Sequence, residues 1–119
     1  FGSAGERDVE KRSEMGRIAA QLADQVVVTT EDPRGEDEEA IITEICRGAQ
    51  EAGAVEGENL HRTADRAAAI AIAVEGAVPG DAVLLAGKGH ERSIIGRGGS
   101  VPWDERSQAE AAIRRRLEG

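Results

Sequence analysis

The chain has 119 residues, room for one domain and little more, and its length is enough to bury a core without disulfide or metal staples. A formal net charge of −8 argues against a general nucleic-acid binder, because phosphate recognition needs a basic surface. Cys46 is the single cysteine, so no internal disulfide can form, and its place in an apolar helical stretch reads as a buried, inert thiol. No apolar run is long enough for a signal peptide or a membrane span.

Phe1 to Gly5 reads as the end of a strand and the glycine-rich loop after it, with the strand itself preceding residue 1. This predicts a domain cut from a longer protein, or a chain whose earlier residues are absent from this sequence. Met15, Ile18, Ala19 and Leu22 repeat at helical spacing, with Ser13 as the cap. Val26, Val27 and Val28 form a β-branched run suited to a strand covered on both faces. Turn residues follow from Thr29 to Asp37. Next comes a helix with Ile41, Ile42, Ile45 and Ala49 on its apolar side, ending before Gly53. Residues 59–63 carry a short strand signal. A third helix shows Ala67, Ile70, Ala71 and Val74 on one face, capped by Thr63 or Asp65.

Pro79-Gly80 stops that helix, and Asp81 to Ala86 reads as another buried strand. Ser93–Ile95 and Ser100–Val101 predict a hairpin around Gly98-Gly99. The last helix starts near Asp104 or Ser107, where Ser107 and Glu110 have capping-box spacing, and runs to Leu117. The basic run Arg114 to Arg116 then complements the helix dipole on a solvated face. Helices alternating with strands predict an α/β domain, Rossmann-like and three-layered, with a mostly parallel sheet and helices on both faces. In such sheets ligands gather beyond the carboxyl ends of the strands.

Three polar loops carry the chemistry. Gly2 to Arg12 combines a permissive backbone with Arg7, Lys11 and Arg12, a set able to cradle an anion; taken alone it reads as a mobile, solvated terminus. It matches neither the P-loop nor the dinucleotide fingerprint. Glu31-Asp32-Pro33-Arg34 places an acid beside a base on a stiffened backbone, fit for a zwitterion, with Arg34 for a carboxylate and Asp32 for an ammonium. The plainer reading is an Asp-Pro turn with a surface ion pair. Gly87-Lys88-Gly89-His90-Glu91 gathers three ionisable groups at a strand end, more than a structural loop requires. Its His90 reads as a hydrogen-bonded loop residue, and His90 with Glu91 is too small a set to hold a metal.

In this order the loops resemble those of the C-terminal domain of Mur ligases. The similarity is greatest to the synthetases that add the third residue of the peptidoglycan stem peptide. The shared motifs are Gly2…Gly5-Glu6-Arg7-Asp8…Lys11-Arg12, the D-N-P-R-like Glu31 to Arg34, and A-G-K-G-H-E at Ala86 to Glu91; Pro102 to Arg106 looks like the segment before the family's last helix. The resemblance covers essentially residues 1–119 and implies an amino-acid-binding domain. Upstream domains for the UDP-substrate and for ATP with magnesium would complete a cytoplasmic ligase, and this domain would pack on the central one. ATP would convert the D-glutamyl carboxyl of UDP-muramyl dipeptide to an acyl phosphate, which a diamino acid would attack.

Carried over, Arg7, Asp32, Arg34, Gly87 and Glu91 form the amino-acid pocket. Arg7 and Arg34 would hold carboxylate, while Glu91 and the Gly87 carbonyl would hold the distal ammonium. Lys11 and Arg12 would face the nucleotide. Family members adding diaminopimelate usually carry Asn where this chain has Asp32. Asp32 therefore leaves two outcomes open: Arg34 free for diaminopimelate, or Arg34 neutralised in favour of lysine or ornithine, with the balance toward diaminopimelate. Two other readings remain beside the ligase: a non-catalytic Rossmann-like module binding a nucleotide or zwitterion, and a paralogue that has lost turnover.

Overall fold

Two helices with interlocking glycines and a short parallel strand pair build the larger half of the molecule. The computed structural model describes residues 1–119. In chain order the elements are α1 (Glu10–Leu22), β1 (Val26–Val28), α2 (Glu38–Glu51), β2 (Leu60–Arg62), α3 (Arg66–Gly76), β3 (Ser93–Gly96), β4 (Gly99–Pro102) and α4 (Glu105–Glu118). β1 and β2 pair in parallel, with Val26 opposite Leu60 and Val28 opposite Arg62. β3 and β4 form a separate antiparallel hairpin. Phe1 also joins β1: its amino group donates to the Val27 carbonyl at 2.9 Å, and its own carbonyl accepts from Thr29 N–H at 2.9 Å.

The main core collects Val26 and Val28 from β1, Ile41, Ile42, Ile45, Cys46 and Ala49 from α2, and Leu60 from β2. Ile41, Ile42, Ile45 and Ala49 are positions the helical pattern singles out and Val26 and Val28 belong to the β-branched run, whereas Ile18 and Leu22, at helical spacing on α1, are exposed. α1 packs on α2 through two notches. A Cβ on Gly16 would overlap the Ile45 carbonyl, and one on Gly48 would overlap the Ser13 carbonyl. The helix backbones thus approach as closely as two chains without side chains allow. A second, smaller cluster joins Ile70 and Val74 of α3 to Ala112 of α4, with Leu85 and Trp103 against it.

Several expectations change. The domain is mixed α/β, but parallel pairing among its strands is confined to β1 and β2. Asp81 to Ala86 lies outside both sheets, and Leu84 is 86% exposed. No strand pairs with this segment, and of its apolar side chains Leu85 packs against the second cluster. Ser13 sits inside α1, which starts at Glu10 without a side-chain cap. Asp65 caps α3, and Asp104, not Ser107, caps α4 by accepting from the Ser107 N–H. Glu110 binds Arg106 and closes no capping box.

Arg66 fastens the two halves. Its Nε and Nη2 donate to the two oxygens of Glu105 at 2.9 and 2.7 Å. Nη1 reaches the Thr30 carbonyl at 2.9 Å, and Nη2 also reaches that of Ala86 at 3.0 Å. One planar fork thus joins the end of β1, the end of the 81–86 segment and the start of α4. Trp103 Nε1 adds a bond to Glu105 at 3.0 Å. No helix is long and apolar enough to cross a membrane.

Candidate functional site

The glycines of the first loop bring it against the second. A Cβ on Gly2 would overlap the Thr29 carbonyl, and one on Gly5 would overlap that of Pro33. Gly5 N–H donates to the Asp32 carbonyl at 2.7 Å, and Arg34 Nη1 donates to the Gly5 carbonyl at 3.3 Å. The segment through Gly5 is therefore docked, with Gly2, Ser3 and Gly5 buried, and the solvated-terminus reading holds only for Glu6 to Glu10.

Lys88 ties the second loop to the third. Its side chain is fully buried, and Nζ donates to Asp32 Oδ1 at 2.7 Å and to Glu91 Oε2 at 2.9 Å. Asp32 Oδ1 also accepts the Ile95 N–H at 2.8 Å, which links β3 to the same point. Burial works against both charges, but the mutual hydrogen bonds outweigh it. Asp32 is held below its ordinary carboxyl range and Lys88 above its ordinary amine range. Glu91 is half exposed, so one end of this relay lies in solvent.

Two further acids and bases stand near it. Glu31 is part-buried and makes no hydrogen bond; burial, then the neighbouring Asp32 charge, pushes its carboxyl up. It faces Gly87, where an added Cβ would touch its carboxylate at 3.3 Å. Gly87 has φ +111°, a backbone that side chains rarely adopt, and its carbonyl accepts no hydrogen bond. Arg34 also has a left-handed backbone, at φ +54°, fixed by its N–H to the Ile95 carbonyl at 2.9 Å. Its guanidinium touches only the neutral Gly5 carbonyl and has no carboxylate partner.

The loops thus bring Asp32, Arg34, Gly87 and Glu91 together, but Asp32 faces inward to Lys88 and not outward to a ligand. Arg7 lies in the exposed part of the first loop and makes no side-chain bond. Lys11 is exposed on α1. Arg12 departs from the nucleotide-facing expectation: it is 2% exposed and holds Glu36, Glu44 and the Ala4 carbonyl. Its place one helix turn from the loop, opposite acidic α2, makes it a clamp between α1 and α2. His90 is exposed without a hydrogen bond. A polar cleft of about 320 Å³ runs from Glu91 past Arg92 to Asp104, Glu105 and Arg106. No group of three or more His, Cys, Asp or Glu side chains is arranged to hold a metal ion.

The family model for the Mur ligase glutamate ligase domain matches residues 1–89, three quarters of the chain. The chain belongs to the Mur ligase family. The match runs through the first two polar loops and into the third, as far as Gly89. This Mur ligase domain is 54% identical, over 95% of its length, to a UDP-N-acetylmuramyl-tripeptide synthetase of Roseiflexus sp. (strain RS-1). It is 48% identical over its whole length to a UDP-N-acetylmuramoyl-L-alanyl-D-glutamate–2,6-diaminopimelate ligase of Prochlorococcus marinus (strain MIT 9313). It spans 22% of the length of each. A solved structure of a UDP-N-acetylmuramoyl-L-alanyl-D-glutamate–2,6-diaminopimelate ligase superimposes with a TM-score of 0.83 at 34% identity, over 98% of this chain and 23% of that one.

Lys88 and Glu31 lie within the polar motifs, yet local pattern assigns neither of them a role. The available signal for Lys88 was its position between two glycines: a long cation on a backbone free to bend inward. Its partner Asp32 lies 56 residues away, a distance no local pattern reports.

Proposed function

We propose that this domain holds the incoming diamino acid, meso-diaminopimelate, for an ATP-dependent cytoplasmic ligase that extends UDP-N-acetylmuramoyl-L-alanyl-D-glutamate. In the full-length protein, ATP and magnesium bind in a central domain against which this one packs, and the UDP-substrate binds in a further domain. Transfer of the γ-phosphoryl group to the glutamyl carboxylate gives an acyl phosphate and ADP. The diamino acid's amine then attacks the acyl carbon. A C–N bond forms, phosphate leaves, and the amine loses a proton. This domain's share is positioning: it converts a bimolecular attack into one between held groups.

The observation that carries the reading is Arg34. It is a cation on a strained, well-anchored backbone, without a counter-ion, on the loop whose Asp32 is joined through Lys88 to the half-exposed Glu91. A ligand with a carboxylate next to an ammonium at its distal end matches that arrangement. Lysine and ornithine would leave Arg34 unpaired. Arg7 offers a second carboxylate contact, and Glu91, the Gly87 carbonyl and Glu31 offer ammonium contacts. Asp32 supports the pocket from beneath. Lys11, the exposed cation of the pair assigned to the nucleotide side, remains available there; Arg12 serves packing.

The test is amide-bond formation by the full-length protein with ATP, magnesium and UDP-muramyl dipeptide, offering meso-diaminopimelate, lysine and ornithine separately. Phosphate release and the mass of the product are the readouts. Turnover favouring diaminopimelate supports the reading. Turnover favouring lysine or ornithine overturns the assignment of Arg34, and no turnover overturns the ligase reading.

A further inference from the structure

Five charged groups meet where the loops converge. Glu31, Asp32 and Glu91 are acidic; Arg34 and Lys88 are basic. Asp32 and Arg34 are two residues apart, and Arg34 already acts on the Asp32 charge through space. On an exposed turn these two would pair with each other. Here they do not, because Asp32 Oδ1 is taken by Lys88 Nζ at 2.7 Å and Ile95 N–H at 2.8 Å. The same ammonium holds Glu91 Oε2 at 2.9 Å, leaving the other oxygen of that carboxylate without a partner.

We infer that Lys88 is a positioning residue that sets the ligand selectivity of the site: by serving as counter-ion to Asp32 it keeps Arg34 open to a ligand carboxylate. The inference rests on the ligase reading above and extends it to a residue that does not touch the substrate. Without the Lys88 charge, Asp32 is a buried carboxylate with one backbone N–H, a costly state that ends when it turns to the nearest cation. That cation is Arg34. The guanidinium fork is then occupied from within, and the pocket's field becomes more negative. Both changes weaken ligands that carry a distal carboxylate, and neither weakens a ligand ending in an ammonium alone. Glu91 also loses the bond that presets its rotamer, which affects both ligand types alike.

The experiment uses the full-length ligase and reads KM for meso-diaminopimelate against that for lysine, with lysine measured as substrate or as competitive inhibitor. Lys88→Met lowers the preference for diaminopimelate by about 30-fold, chiefly through KM, as expected when one partner of a buried charge pair is removed. Asp32→Asn acts with the opposite sign. It removes the charge that competes for Arg34 and raises the preference by roughly threefold, while the amide oxygen of the new side chain still accepts the Ile95 N–H. The double variant Lys88→Met/Asp32→Asn returns the preference to the wild-type value or above. A Lys88→Met enzyme that loses both ligands equally overturns the inference and leaves Lys88 a purely structural cation. So does an Asp32→Asn enzyme whose preference falls, which decides the matter even if Lys88→Met does not fold. Wild-type enzyme inactive with every diamino acid overturns the ligase reading itself.

Discussion

Arg66 and Lys88 are both buried cations that bind carboxylates far away in sequence, yet they differ in what encloses them. Every partner of Arg66 is backbone or buried; the Glu105 side chain is only 7% exposed. Lys88 has one buried partner, Asp32, and one half-exposed partner, Glu91. A closed ion pair has no valence left for a ligand and acts as a fastening. A relay with one end in water offers a ligand something to compete for. The contrast separates frame from site more sharply than burial of the cation alone, which is nearly the same for both.

The strongest way to break the contrast is Arg66→Met. It strands Glu105 in the interior and is expected to cost about 3–5 kcal/mol in urea denaturation, an effect that outweighs any change in ligand KM in the protein that remains folded. Arg34→Ala should do the reverse: KM for diaminopimelate rises by roughly 30- to 100-fold, while the thermal midpoint moves little, because the guanidinium has only one weak contact within the fold. If Arg34→Ala instead lowers the midpoint and spares KM, Arg34 belongs with Arg66. Gly48→Ala probes the frame elsewhere. The added methyl meets the Ser13 backbone in the α1–α2 contact, and a loss of about 1–3 kcal/mol in the same denaturation assay is expected.

The smallest effect is in acid. Asp32 and Glu105 both titrate below their ordinary values of 3.8 and 4.5. Groups so depressed in the folded state contribute stability that is complete above those values and lost as pH falls through the folded ones. The contribution of these two groups should therefore be constant above about 5 and weaken below that, as read from denaturation midpoints across the acid range. Glu31, displaced upward, works the other way: its ionisation costs stability as pH rises through its folded value. Glu31→Gln should accordingly raise the midpoint slightly at neutral pH and leave it unchanged in acid.

The parts of this molecule that local pattern specifies were legible in the sequence. Val26 to Val28 form a strand because a β-branched run favours one, and Ile41, Ile42, Ile45 and Ala49 face the core because they recur at helical spacing. The hairpin at residues 93–102 follows from its glycine turn. Asp81 to Ala86 shows the limit. An apolar run signals that a segment favours burial, but its strand state depends on a neighbour that offers hydrogen bonds, and local sequence does not report the neighbour. The site divides in the same way. The three loops and most of their polar residues were visible as motifs, whereas the inward turn of Asp32, the burial of Arg12 and the buried contact of Lys88 depend on partners 24 to 63 residues away.

The distances that hid these contacts also bear on how the chain assembles. Asp32 meets Lys88 and Ile95 at separations of 56 and 63 residues, whereas Arg12 meets Glu44 at 32. Closing a longer loop costs more chain entropy and brings its reward later, so the α1–α2–β1–β2 half can form before the Gly87 to Glu91 loop locks onto Asp32. Substitutions at Lys88 would then leave the refolding rate nearly unchanged and speed unfolding, while those at the Gly16 and Gly48 notches would slow refolding itself.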